Sequence, residues 1–215
     1  MGTSLKHLLS NLVPELEEKL KLREETFSSS RRVTVLSKQA VMAIHARDLD
    51  AAATRLEEAS RILRDLADRL SDHPDLRRES VNIAYQEYSE ARFLEAATSG
   101  NEYPSPASLR VPTVPYILGV ADVVGEFRRR AVEALTKDNL DEAVSSLRIM
   151  EEIYRELLPL EFYYSLAPEL RRKVDVARHL IETTMGEIYT EKRRSSLEAT
   201  MRSLEKRLEG ERPQD

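Results

Sequence analysis

Four acidic residues fall on two short stretches of this sequence in patterns that could hold a metal ion. In YQEYSEARFL, Glu87 and Glu90 stand three residues apart; in PYILGVADVVGEF, Asp122 and Glu126 stand four apart. On an α-helix either spacing puts both carboxylates on one face. Glu87 and Glu90 share their face with Ile83, Leu94 and Ala97, and Asp122 and Glu126 lie in the most apolar run of the chain. Carboxylates among core-facing residues are costly to desolvate unless a cation or hydrogen-bond donors meet them, and like charges one turn apart repel. The same unfavourable pair on two helices is explained by a divalent cation bound between them, since hard ions such as Mg2+ or Mn2+ prefer carboxylate oxygen. Gly119 and Gly125 flank Asp122 within the same helix. Each costs about 1 kcal/mol relative to alanine there, which points to a close helix contact or to room for a substrate.

A site of this kind working on a phosphodiester also needs cations. Arg31, Arg32 and Lys38 upstream, Arg92 beside the first acidic pair, and Arg128, Arg129 and Arg130 just beyond Glu126 are the candidates, because arginine pairs with phosphate bidentately. For any one of them a solvated or intersubunit charge is the plainer reading. His45 closes a helix, where capping or packing is a plainer role than chemistry. A di-iron bundle would need Glu-x-x-His motifs, and none of His7, His45, His73 or His179 has Glu three residues before it. A helical nucleotide pyrophosphatase also combines Glu-x-x-Glu with a second acidic helix and stays open as an enzymatic alternative.

The elements that must position these residues are helices. Among 215 residues, 41% hydrophobic and 33% charged, there are six Gly, nine Pro and no Trp, while good helix formers fill the rest; an all-α, water-soluble protein follows, taken as one domain over 1–215. No Cys is present, which excludes disulfides and thiolate chemistry and leaves any metal to oxygen or His. The net charge of −5 confines any nucleic-acid contact to local basic clusters. No run reaches the roughly 20 apolar residues of a membrane span and no signal-type segment opens the chain, so no membrane partner and a cytoplasmic location are expected.

From Pro14 to Pro74 there is neither Gly nor Pro, and the pattern predicts two helices with a break near Arg47. Val33, Leu36, Ala40 and Ile44 line the first; Leu49, Ala52, Leu56, Ala59, Leu63, Leu66 and Leu70 line the second, capped by Asp48 or Asp50. Pro74 suits the first turn of a third, capped by Asp72 and running to Gly100. Pro104, Pro106, Pro112 and Pro115 mark one substantial loop. A fourth helix starts near Thr113 or Pro115, and Leu140, Ala143, Leu147, Met150, Tyr154 and Leu157 define a fifth, capped by Asp138 or Asn139. A last, long helix starts at Pro168 with Leu170, Val174, Ala177, Ile181, Thr184 and Ile188 inward. Residues 1–13 read as a flexible lead-in and 191–215 as a charged helix or tail, whose stripe Leu197, Met201, Leu204 and Leu208 suits packing on another subunit as well as it suits a solvated end.

These stretches resemble the translin family and, within it, the branch of translin-associated factor X. The similarity runs over about residues 23–190. It is carried by REETFSSSRRVTVLSKQAVMAIHAR, by QEYSEA, and above all by LRVPTVPYILGVADVVGEFRR. The resemblance implies a single antiparallel bundle of about six to seven helices. It further implies a metal-dependent endoribonuclease that acts on single-stranded RNA with Mg2+ or Mn2+, because the catalytic branch has the acids kept here as Glu87, Glu90, Asp122 and Glu126. Arg31, Arg32, Lys38, Arg92, Arg128 and Arg129 would then contact RNA. It also implies a closed, hollow oligomer, an octamer of this chain or a hetero-oligomer with a translin-like subunit. The alternative within the family is a non-catalytic shell that binds RNA or single-stranded DNA. The first interhelix connection and the 101–112 loop are short for the family.

Overall fold

The structure, a computed structural model, describes residues 5–73, 76 and 79–210. All of its regular elements are helical: α1 (Leu5–Ser10), α2 (Val13–His45), α3 (Leu49–Arg69), α4 (Glu79–Ser99), α5 (Pro106–Leu109), α6 (Thr113–Thr136), α7 (Leu140–Leu157), a 3-10 segment (Leu158–Tyr163) and α8 (Pro168–Gly210). No strand occurs among the described residues, and no helix there is long and apolar enough to cross a membrane. The packing divides the chain into two compact units, residues 1–120 and 121–215, with the division inside α6.

In the first unit α2 packs against both α3 and α4. The α2–α3 turn is tight: Arg47 takes a left-handed φ of 61°, and the Asp48 carboxylate then caps α3 by accepting from the Ala51 N–H at 3.0 Å. That cap satisfies one of the donors a helix start leaves over. Two ion pairs give the relative direction, because Arg32 meets Glu58 at 2.9 Å and Arg69 meets Glu25 at 2.9 Å. As numbers rise along α3 they fall along α2, so the two helices are antiparallel. The buried stripe of α3 is Ala52, Leu56, Ala59, Leu63 and Leu66, with Leu70 buried just beyond it, whereas Leu49, placed on the same line by its spacing, lies at the first turn of the helix and is exposed.

The stripe of α2 is less apolar than its sequence pattern suggested. Its buried positions are Thr26, Ser30, Val33, Leu36, Ser37, Ala40 and Ile44. Small side chains at a three-four spacing allow two helices to approach α2 closely. The Ser30 hydroxyl donates to the Thr26 carbonyl at 2.8 Å, whereas the buried hydroxyls of Thr26 and Ser37 find no hydrogen-bond partner. The third helix starts at Glu79, five residues later than the proline signal placed it; the role assigned to Pro74 lies outside the described residues. The expected 101–115 loop contains the one-turn helix α5, capped by the Ser105 hydroxyl on the Ser108 N–H at 3.1 Å. This loop is anchored at two points: Tyr103 stacks on Phe93 of α4 with ring centroids 4.3 Å apart, and the Tyr116 hydroxyl donates to the Pro104 carbonyl at 2.7 Å.

In the second unit α7 packs on α8. Asn139 caps α7 by accepting from the Glu142 N–H at 3.2 Å. All six expected inner residues of α8, Leu170 to Ile188, are buried. Beyond Ile188 the helix continues with Leu197, Met201 and Leu204 exposed; the side chain of Leu208 lies outside the described residues.

The two glycines of α6 serve different ends. A Cβ on Gly119 would collide with the Gln86 carbonyl oxygen and would lie only 2.9 Å from the Glu90 nitrogen and from the Ser89 Cβ, whereas one on Gly125 would meet nothing within 4 Å. Gly119→Ala should therefore destabilise by about 2 kcal/mol or more through overpacking against a backbone that cannot yield. Gly125→Ala should stabilise the folded chain by up to about 1 kcal/mol through helix propensity. Thermal denaturation of the two variants beside the parent chain checks both signs; a Gly119→Ala protein as stable as the parent would show that α6 can move off α4.

Candidate functional site

In the first unit, Glu87 and Glu90 occupy one side of α4 between residues that are held firmly. Tyr88 and Ser89 are buried, and the Ser89 hydroxyl bonds back to the Tyr85 carbonyl at 2.7 Å. The backbone from Gln86 to Glu90 is pressed by α6 at Gly119, so the peptide that carries both carboxylates is fixed from either side. Their own face is only half buried: Ile83, read as part of the inner line, is 44% exposed. Lys38 of α2 reaches Glu87 with Nζ 3.2 Å from Oε1.

In the second unit, Asp122 and Glu126 project from the part of α6 that buries Ala121, Val123, Val124 and Phe127. Lys173 of α8 donates to Asp122 Oδ1. The pair is largely withdrawn from water, the side chains being 15% and 27% exposed. Beside it lies a cavity of about 210 Å3 whose lining includes Asp122, Gly125, Arg172 and Lys173. Lys173 went unnoticed in the sequence. Its one signal is position: it stands three residues after Leu170 and immediately before Val174, at the edge of an otherwise apolar stripe. A lysine there must find a carboxylate or reach water.

Several of the cations proposed for RNA are already engaged within their own unit. Arg32 is paired with Glu58, Lys38 with Glu87, Arg92 with Glu95 at 3.0 Å, and Arg130 with Glu142 at 3.0 Å. Arg128 is held most firmly, with bonds of 2.5 and 2.7 Å to the two oxygens of Glu187 and 3.2 Å to the buried Thr184 hydroxyl. Arg31 and Arg129 are exposed, and among the described residues neither has a carboxylate partner. His45 is the last residue of α2.

Carboxylate oxygen is the donor chemistry a hard dication takes, and each helix supplies two such groups one turn apart. The two pairs belong to different units, and among the described residues no three His, Asp or Glu side chains are grouped so as to hold a metal ion. One acid of each pair carries a lysine instead.

A family model described as the translin family matches residues 79–184, which span α4 to α8 and contain all four acids. An uncharacterised protein of Methanocaldococcus jannaschii is 34% identical over 184 residues, covering 85% of this chain and 82% of its own. The crystal structure of AfC3PO superposes with a TM-score of 0.79 at 31% identity, over 86% of this chain and 96% of that one. The same protein in complex with duplex RNA gives a TM-score of 0.78 at 31% identity and the same coverage. Apo-NeC3PO matches with a TM-score of 0.78 at 28% identity, over 88% of this chain and 100% of its own.

The Arg128–Glu187 pair has a measurable acid signature. Hydrogen bonds from Arg128 hold the Glu187 carboxyl below its ordinary value of 4.5. A carboxyl depressed in the folded state contributes stability that is present above the unfolded value and is lost as pH falls through the folded one. Glu187→Gln should therefore flatten the fall in melting temperature on acidification below pH 4.5. Arg128→Ala should lower stability at neutral pH by about 1–2 kcal/mol, the pair being only partly shielded from water. Calorimetry of both variants across the acid range tests this, and parallel pH profiles for the parent and Glu187→Gln would refute it.

Proposed function

The chain belongs to the translin family, and from that premise we propose that it is a metal-dependent endoribonuclease of the kind formed by translin-associated factor X. The observation that carries the reading is the double acidic pair. Glu87 with Glu90 and Asp122 with Glu126 sit on helical stretches that bury most of their neighbours. When bound, Mg2+ or Mn2+ supplies Lewis acidity and charge neutralisation at a phosphodiester. In this reading Glu87, Glu90, Asp122 and Glu126 would hold the ion, and Glu126 or Glu90 would accept a proton from the attacking water. Arg31 and Arg129 are the cations best placed to hold phosphate oxygens; Arg32, Lys38, Arg92 and Arg128 would each have to leave a carboxylate to join them.

RNA is the proposed substrate. A relative 31% identical to this chain has been solved with duplex RNA, which favours RNA as the ligand class. Cleavage is assigned to single strands, because a flexible strand reaches a recessed, helix-lined site more readily than a stiff A-form duplex. The proposed protein is a cytoplasmic homo-oligomer of about eight chains, or a hetero-oligomer with a translin-like subunit. Such an assembly gives a use to the apolar surface left at both ends of the chain: Leu5, Leu16 and Leu20 near the start and Leu197, Met201 and Leu204 near the end are all more than half exposed. The rival reading is a shell that binds RNA without cutting it, and the lysines seated on Glu87 and Asp122 are the observation in its favour.

Purified full-length protein incubated with labelled single-stranded RNA separates the two. Cleavage with Mg2+ or Mn2+ and none with EDTA is expected; binding that is equal in EDTA with no cleavage in any metal identifies the shell. Glu87→Gln, Glu90→Gln and Asp122→Asn should each lose more than the roughly 100-fold that removing an outer partner of a metal ligand costs, with helical circular dichroism unchanged. Three active variants would eliminate the site. Equal cutting of matched single-stranded and duplex substrates would place the site at an open surface.

A further inference from the structure

Lys173 has no part in the chemistry described so far, yet it occupies an acid proposed to bind metal. We propose that Lys173 is an exchangeable counter-ion: it neutralises Asp122 while no divalent cation is bound, and once a cation takes that carboxylate it turns, with Arg172, to a phosphate group of the substrate. The proposal rests on the metal site put forward above.

Three features of the second unit carry it. First, the ammonium of Lys173 is bonded to Asp122 Oδ1 with 15% of its side chain exposed, and α8 is held in register by buried Leu170, Val174 and Ala177. The stem therefore leaves the helix in one fixed direction. An ammonium held this close opposes a dication on the same carboxylate, because like charges in a partly dry setting repel. Second, it has somewhere to go. The cavity of about 210 Å3 begins at the pair itself and is lined by Asp122, Gly125, Arg172 and Lys173, and at Gly125 even a methyl group would meet nothing. A four-carbon stem with three rotatable donors can swing through that space without any movement of the backbone. Third, the cavity already has a second cation. Arg172 is exposed and has no carboxylate partner among the described residues, so a displaced Lys173 joins a guanidinium that can take an oxyanion in its planar fork.

The first unit supplies an internal comparison. Lys38 also sits on an acid of the proposed site, but its side chain is 62% exposed against 15% for Lys173. Water screens the Lys38–Glu87 pair, so its release alters the balance less.

Titration calorimetry with Mn2+ on the full chain, without RNA, tests the exchange. Lys173→Met should bind Mn2+ several-fold more tightly than the parent protein, since no ammonium competes for Asp122. Lys173→Arg should stay near the parent, and Lys38→Met should shift affinity less than Lys173→Met. A Lys173→Met affinity equal to or weaker than the parent's overturns the exchange while leaving the metal site standing; no Mn2+ binding by the parent protein overturns both. Should Lys173→Met fail to fold, the parent protein suffices. Acetylation of lysines read by mass spectrometry should show Lys173 becoming more reactive when Mn2+ is added and protected again by a 2′-O-methyl RNA oligonucleotide, which cannot be cleaved. Reactivity of Lys173 that ignores Mn2+ overturns the proposal, and reactivity that rises with Mn2+ but ignores the oligonucleotide overturns its phosphate half.

Discussion

The backbone of α6 passes α4 at Gly119 with no room for a methyl group, and the facing turn of α4 is arranged around that approach. It requires small or inward-turned residues on the facing turn of α4, and Ser89 supplies one, its hydroxyl folded back onto its own helix. It holds the peptide between Gln86 and Glu90, so that the carboxylates borne there have little positional freedom.

How far the sequence disclosed this differs from element to element. The stripes of α3 and α8 were legible because leucine, isoleucine, valine and alanine fall there at strict three-four spacing, and every such position of α8 from Leu170 to Ile188 is buried. The stripe of α2 was half hidden, since Thr26, Ser30 and Ser37 share its buried face. Hydroxyl residues signal caps and turns on local grounds, and only tertiary packing turns them into core. On α4 the predicted apolar line holds at Leu94, which is buried, and fails at Ile83, which is exposed, while Tyr85, Tyr88 and Phe93, off that line, are buried large side chains. The acids of the candidate site stand out in the sequence by their spacing and their apolar surroundings. Lys173 does not, because it belongs with an acid 51 residues away and no local pattern encodes such a pairing. The arginines show the same limit from the other side: their type suits phosphate, and nothing in the sequence signals that Arg32, Arg92 and Arg128 pair with carboxylates of their own unit.

That allocation of charge explains how a chain with a net charge of −5 can belong to a family whose structures include an RNA complex. Most candidate cations are spent internally, tying α2 to α3 and α4, and α6 to α7 and α8. Among the candidates, Arg31 on α2 and Arg129 on α6 are left for an outside anion, and other exposed arginines, Arg110, Arg148, Arg171 and Arg172 among them, also have no carboxylate partner among the described residues.

The far end of α8 stands apart from this economy. After Ile188 none of its described residues is buried, and what steadies its next turns is a set of ion pairs: Arg194 with Glu191 at 2.7 Å, with Glu198 at 3.0 Å and with Asp138 of the α6–α7 turn at 3.1 Å, and Arg202 with Glu198 at 3.6 Å. Each pair contributes little and weakens in salt. Amide protons along this one helix should thus exchange with solvent on a gradient, slowest where Leu170 to Ile188 are packed and fastest toward residue 210, with the fast end sensitive to ionic strength. A single continuous helix would so contain two folding domains in the cooperative sense, one governed by the protein's interior and the other by whatever medium or neighbour surrounds it.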